Sequence, residues 1–529
     1  MLQTPKAMRG AVVAPHHLAA QAGLRVLREG GNAIEAIVAA ASTIAVVYPH
    51  MNGLGGDNFW LITDGHSPPI GIDACGAAAA RASVEFYTQQ GLTEIPARGP
   101  LAANTVAGAV SGWQLALEVN KRWGGSLPLV RLLEDAEYYA REGVAVTRSQ
   151  HSHTAAKRAE LEEISAFADH FMLDGKAPVI GSVFKQPALA QTLEHLARVG
   201  LDDFYRGELA RTLAADLEQV GSPVREADLA RHWALEVKPL SAHVATGTLY
   251  NMPPPTQGLA SIIILGLFDR LDCQCADTFD YVHLLLEATK CAFRVRDTYV
   301  TDPGYIKAAP ERFLTDEALE NMARNIDRHQ AAPWRNSSVG GDTVWLGAID
   351  ERGRAVSFIQ SIYWELGSGV ILPQSGILWQ NRGTSFKLAG GAINRLEPGR
   401  KPFHTIHPAM AQLDDGRTLV YGTMGGDGQP QTQAVIYTRY AQYGQELQQC
   451  VTGPRWLLGR TWGAPKNNVR IENRFTPDVL QALAHAGHDI EIVGPFDEVM
   501  GHAGAIVRHP SGVIEGAVDP RGDGVVATY

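Results

Sequence analysis

The chain has 529 residues, 46 basic and 56 acidic, for a formal net charge of −10 with histidine neutral. Its basic residues are scattered rather than gathered into a stripe, which excludes a nucleic-acid footprint, and its five cysteines are too few and odd in number for a disulfide framework. The longest apolar run, residues 34–47, is interrupted by Glu35, Ser42 and Thr43 and stopped by Pro49, too short and too broken to cross a bilayer.

In chain order, Met1-Leu2-Gln3-Thr4-Pro5-Lys6 lacks a charged start followed by an apolar core, so no secretory signal is expected and the cytoplasm is the expected compartment. Residues 18–29 read as an amphipathic helix closed by Gly30-Gly31, residues 34–47 as a second, more buried helix, and 58–64 as a strand. Apolar residues at helical spacing then predict helices over 112–123, 127–142, 151–167, 187–199 and 278–294. Beyond residue 343 the pattern changes to short strands, 344–349, 355–362, 418–422 and 505–508, separated by Gly, Asp and Pro turns. Strand blocks flanked by helix blocks predict the α/β (α+β) class, with helices layered on a sheet core. No linker, charge block or repeat divides the chain, so one composite domain is expected.

The candidate chemistry centres on Gly340-Gly341-Asp342-Thr343-Val344-Trp345, which sets a Thr at the start of a strand. Taken locally, this is turn chemistry followed by a β-branched strand residue. If the Asp342–Thr343 bond is cut, however, amine and hydroxyl share one residue, and base and nucleophile come together without a separate His. His404-Thr405-Ile406-His407 and His151-Ser152-His153 raise a metal reading, but no third ligand is indicated. Cys273-Gln274-Cys275 lacks a second ligand pair and reads as inert thiols, and Gly53-Leu54-Gly55-Gly56 lacks the Lys-Ser/Thr of a phosphate cradle. No metal or cofactor is expected.

Segments spread over nearly the whole length change the weight of the Thr343 reading. They are Gln21-Ala22-Gly23-Leu24, Gly30-Gly31-Asn32-Ala33, Gly53-Leu54-Gly55-Gly56, Met252-Pro253-Pro254-Pro255, Glu287-Ala288-Thr289-Lys290, Asp302-Pro303, Gly425-Gly426, Phe475-Thr476-Pro477-Asp478, Met500-Gly501 and Asp519-Pro520-Arg521. In this order they resemble the γ-glutamyltranspeptidase family of N-terminal-nucleophile hydrolases. The resemblance implies a four-layer αββα sandwich. It also implies self-cleavage between Asp342 and Thr343 into residues 1–342 and 343–529, which stay one folded body. The Thr343 hydroxyl would attack the preceding carbonyl, with Gly340 and Gly341 permitting the strained geometry. It would then form an acyl-enzyme, with its α-amine, of reference pKa about 7.7 to 8.0, as base. Gly425 and Gly426 match the family's oxyanion position, and Ser361 stands where a hydroxyl residue orients the nucleophile.

Departures from the family pattern bear on substrate. The acidic pair that holds a glutamyl amino group is replaced in Asn381-Arg382-Gly383-Thr384-Ser385-Phe386 by Thr384 and Ser385. The family's carboxylate-binding Arg is replaced by Cys75, an Asn by Tyr363, and a pair of serines by His404-Thr405. Arg382 adds a planar fork suited to a carboxylate, or else a surface or structural ion pair. The expected partner is a small carboxylate-bearing amide without an ammonium group, with oxamate, hydrolysed to oxalate and ammonia, as the fitting case. A γ-glutamyl hydrolase or transpeptidase, or a glutaryl-type acylase, of the same family is the near alternative. A metal-dependent or non-catalytic binding protein is the distant one. Assembly of several processed copies stays open, and neither nucleic acid nor membrane is an expected partner.

Overall fold

In the computed structural model, which describes residues 3–164, 166–172, 174–334, 342–460 and 467–529, the strand-forming runs assemble into two seven-stranded sheets. The first runs in the order Val525–Thr528, Gly10–Ala14, Asp342–Asp350, Ala355–Tyr363, Asp57–Thr63, Ile70–Ala74 and Leu235–Val237. The second runs Lys6–Ala7, Ile514–Val518, Ala503–Arg508, Thr418–Thr423, Ala409–Leu413, Gly247–Asn251 and Leu240–Val244. All neighbours within both sheets are antiparallel.

Side chains alternate between the faces of a strand, so each sheet has two apolar faces to bury. Val13, Phe59, Leu61, Trp345 and Ile359 of the first sheet meet Met410, Val420, Ile506 and Ile514 of the second in a shared inner layer. On the outer face of the first sheet, Trp60, Ile62, Leu346 and Phe358 pack with Ile37, Ala41 and Ile44 of the helix Ala33–Val47. Outside the second, Leu249, Ala411, Leu419 and Ala505 pack with Leu259, Ile263 and Leu285 of the helices Gly258–Phe268 and Phe279–Tyr299. The result is the four-layer αββα sandwich. Burial on both faces explains why Asp57–Thr63 and Ala355–Tyr363 are buried at every position instead of alternating.

The helices follow their sequence signals, with one difference. Asn32 and Glu35 form a reciprocal capping box at the start of Ala33–Val47, whose residues are all buried. Pro at the first turn and Gly200 after the last bound the helix Pro187–Val199 where it was expected. The single helix expected over 151–167 is instead Arg148–Leu161, capped by the Thr147 hydroxyl, followed by a separate Phe167–Phe171. Ala166 between them sits at φ +65°, outside helical geometry. Among the described residues no helix is long and apolar enough to cross a membrane.

Strand register brings chemistry to one end of the first sheet. Asp342 lies opposite Tyr363 and Val344 opposite Gln360, with a bulge between, while Ser361 lies opposite Asp57. At Gly56 a Cβ would stand 2.1 Å from the Ser361 carbonyl oxygen, so only glycine lets these strands close together there.

Candidate active site

Thr343 is fully buried at the bulge that opens the strand Asp342–Asp350, a distortion that turns a residue out of the regular ladder. Gln429, in the first turn of the helix Gly428–Tyr437, extends its Nε2 to 3.5 Å from Thr343 Oγ1 and accepts the His407 N–H at 3.3 Å. The second sheet's helix therefore meets the first sheet's nucleophile candidate. Ser361 Oγ accepts the Tyr363 N–H at 2.8 Å. Gly340 and Gly341, expected to ease cleavage, lie outside the described residues.

The strand Thr418–Thr423 leads into Gly425 at φ +116° and Gly426 at φ +53°, conformations that side-chain-bearing residues rarely adopt. Neither glycine N–H donates to another backbone group among the described residues. A buried ion pair holds this turn: Arg296, from the helix Phe279–Tyr299, lies 2.7 Å from Asp427, both side chains fully buried. Arg296 also donates to Gln257 Oε1 at 2.8 Å, and Gln257 Nε2 donates to the carbonyls of Thr405 (2.6 Å) and Gly426 (2.8 Å). One cation thus fixes both the glycine turn and the His404–Thr405 segment.

Arg382 opens the short 3-10 turn Arg382–Ser385 and is 1% exposed, so it is not a surface cation, and among the described residues it closes no ion pair, although the Asp57 carboxyl acts on it. Its guanidinium carbon lies 3.7 Å from the centroid of the Tyr363 ring, and Tyr363 is held at φ +81°. The Tyr363 ring thus lies flat against the guanidinium. Nη1 reaches Thr405 Oγ1 at 3.4 Å, while Nε and Nη2 have no hydrogen-bond partner among the described residues. Burial lowers the Arg382 pKa to about 10, still charged at neutral pH. The Thr384 and Ser385 hydroxyls are likewise buried without partners. Asn381 differs: its Oδ1 accepts the Trp364 N–H at 3.2 Å and its Nδ2 donates to the Ala97 carbonyl at 2.9 Å, so both ends are committed to shaping the loop. His404 is fully buried, edge-on to Phe59, and kept neutral first by burial and then by Arg382 and Lys401. Burial also pushes the Cys75 thiol up, so it stands protonated in the place of the family's cation.

Two residues of this constellation escaped the sequence reading, Gln429 and Asp57. Asp57 Oδ1 accepts the N–H groups of Gly76 (3.0 Å) and Gly108 (2.9 Å), and Oδ2 has no hydrogen-bond partner, with His404 Nε2 at 3.5 Å. Burial raises its pKa to about 7 against the lowering effects of Gly76, Arg382 and Gly108. An acid opening a strand whose middle, Phe59 to Ile62, is apolar and buried was the available signal.

Among the described residues one group could hold a metal ion: His283, Glu287 and His488, with ligand atoms within 4.8 Å of one another. It is already knitted by hydrogen bonds, His283 to His488 at 2.8 Å and to the Asp327 carbonyl at 2.9 Å, and Glu287 to Lys290 at 2.7 Å. The histidines that raised a metal reading diverge. His151 binds the Pro178 carbonyl, His153 faces Glu498, and His407 binds Asn251 while His404 faces Asp57.

Comparison with known proteins agrees with this architecture. The Gamma-glutamyltranspeptidase family profile matches residues 19–529. The oxamate amidohydrolase proenzyme of Klebsiella pneumoniae subsp. pneumoniae is 53% identical over 521 residues, covering 98% of both chains. The glutathione hydrolase-like YwrD proenzyme of Bacillus subtilis is 40% identical over 516 residues, covering 97% of each. Among solved structures, a cephalosporin acylase from Bacillus halodurans superposes with a TM-score of 0.92 at 33% identity, covering 100% of this chain and 97% of that one. The chain belongs to the γ-glutamyltranspeptidase family. Within that family it is an enzyme, a hydrolase acting on amide bonds.

Proposed function

We propose that this chain is the precursor of an amidohydrolase that cuts itself between Asp342 and Thr343, leaving residues 1–342 and 343–529 associated. The mature enzyme then hydrolyses oxamate to oxalate and ammonia. The Thr343 oxygen attacks the amide carbon, and its freed amine takes the hydroxyl proton and passes it to the departing ammonia. Gly425 and Gly426 N–H groups face the developing oxyanion, Gln429 and Ser361 position the Thr343 hydroxyl, and water then opens the ester to release oxalate. Arg382, resting on Tyr363 and flanked by Thr384, Ser385, His404 and Thr405, binds the carboxylate. Every group comes from the chain itself, so no cofactor enters the reaction.

The observation that carries the substrate assignment is Arg382, a buried guanidinium with two unpartnered nitrogens and no acid among Thr384 and Ser385 to receive an ammonium. The 53% identity to an oxamate amidohydrolase supports it. Five unpaired cysteines support residence in the reducing cytoplasm. Denaturing mass analysis, with ammonia release from oxamate and from γ-glutamyl amides, tests the reading. Two chains, the smaller starting at Thr343, and preference for oxamate are expected. One intact but active chain would overturn the mechanism, and preference for γ-glutamyl amides would overturn the substrate.

A further inference from the structure

We infer that Asp57 is a specificity-determining residue of the acyl pocket: its carboxyl is kept as a neutral acid beside Arg382, where it hydrogen-bonds the substrate's carboxylate and rejects an ammonium. This rests on the reading of Arg382 as the carboxylate site. Three observations carry it. Asp57 Oδ1 is pinned by two backbone N–H groups, from Gly76 and Gly108, while Oδ2 closes no short hydrogen bond among the described residues, with the Gln380 side chain beside the carboxyl and His404 Nε2 at 3.5 Å. The unpartnered Arg382 nitrogens, His404 nitrogens and Asp57 Oδ2 are all buried, and a buried polar group is retained without a partner where a ligand supplies one. Arg382 and Asp57 do not close on each other: the guanidinium's one hydrogen bond goes to Thr405.

The proton balance follows from charge. An ionised Asp57 would compete with the substrate carboxylate for Arg382 and repel it. Anion binding therefore favours the protonated form and, above the Asp57 pKa, takes up one proton from solvent. That pKa is raised to about 7 before any anion enters. The other groups facing Asp57 are silent between pH 6 and 8. His404 is held neutral, the Cys75 thiol and Tyr205 phenol are pushed up by burial, and Arg382 stays charged. The freed Thr343 amine titrates nearby, but it must be neutral to act, so it raises turnover with pH, opposite in sign to the effect of Asp57.

The test is KM for oxamate from pH 6 to 8.5 in wild type and Asp57→Asn, which keeps the Oδ1 acceptor and the shape. Wild-type KM should climb about tenfold per unit above the Asp57 pKa, and the variant should be flat over the same range, with chain cleavage intact. A flat wild-type profile, or a climb retained in the variant, overturns the inference. So does a hundredfold loss confined to amino-acid amides such as asparagine, which would make Asp57 an ammonium site. If Asp57→Asn does not fold, oxalate binding to wild type at pH 7.5 in two buffers of different ionisation enthalpy decides: proton uptake supports the inference and its absence refutes it. Arg382→Met separates the underlying reading, since undiminished oxalate binding there would remove Arg382 as the carboxylate site whatever Asp57 does.

Discussion

Replacing Arg382 by Met should make the protein more stable and nearly inactive, two effects with one cause. The guanidinium is 1% exposed, its close contacts among the described residues are the Tyr363 ring at 3.7 Å and a 3.4 Å reach to Thr405, two nitrogens are unpartnered there, and the Asp57 carboxyl acts on it without closing an ion pair. Stacking on a desolvated ring returns about 2 kcal/mol, whereas burying an ion costs several kcal/mol. A Met of similar length, filling the space over Tyr363, should therefore stabilise the fold by on the order of 1–3 kcal/mol. In the proposed reaction the same cation meets the substrate carboxylate, and truncating one partner of a buried charged pair costs about 2–5 kcal/mol, or roughly 30- to 5000-fold in kcat/KM. Arg382→Lys, which keeps the charge and loses the fork, should fall between. The assay pairs ammonia release from oxamate with thermal melting and a denaturing gel. Expected are a raised melting temperature, normal chain cleavage and lost turnover. Turnover within threefold of wild type would refute the carboxylate site, and a melting temperature several degrees lower would refute the claim that this cation is uncompensated.

Thr343→Ala should remain one chain and be inactive, as denaturing mass analysis would show, because one hydroxyl serves both cleavage and catalysis. Gly426→Ala, forced to φ +53°, should lower kcat about 10²- to 10³-fold if the turn holds the oxyanion, with cleavage slowed in parallel. Activity should survive chelators, since His283 and Glu287 of the His283, Glu287 and His488 cluster are already engaged with His488, the Asp327 carbonyl and Lys290; loss restored by one divalent ion would contradict this. Glu498 and His502 stand 3.1 Å apart, the hydrogen bonds of His153 and His502 holding the Glu498 carboxyl below its usual range against burial, and Glu498 raising His502 against its own burial. Glu498 then stabilises above the unfolded carboxylate pKa and His502 below about 6.5, with that contribution lost as pH rises through its elevated folded value. Melting temperature should therefore fall from pH 6 to 8 more steeply in wild type than in His502→Asn.

Where a signal is local, the sequence was a good guide to the structure. The helix Pro187–Val199 carries its own start and stop in Pro187 and Gly200, and was placed to the residue. The 151–167 helix overran because Ile164 and Phe167 keep an apolar spacing across a turn, and spacing alone does not register a residue at positive φ. The pairing of Gly10–Ala14 with both Asp342–Asp350 and Val525–Thr528 joins residues hundreds of positions apart and left no local trace. Thr343, Arg382 and the two glycines were named by comparison with the family pattern, and the structure sets Asp342 opposite Tyr363, which touches both Ser361 and Arg382. Gln429 and Asp57 were missed because each is a lone polar residue whose meaning depends on a neighbour from another element, Thr343 for one and His404 with Arg382 for the other.

The strand that begins beside Thr343 is flanked by Gly10–Ala14, which is in turn flanked by Val525–Thr528, and its hydroxyl faces a helix that starts at Gly428. During synthesis the nucleophile therefore leaves the ribosome long before its surroundings exist. At the moment residue 343 emerges, the oxyanion turn and the closing strand are still unmade, and non-local pairings of this kind form late. The self-cleavage proposed for this site would thus be reserved for a finished chain. A truncated product, lacking the last strand or the Gly425–Gly426 turn, would stay uncut, and the appearance of the two fragments would report that synthesis and folding had both been completed.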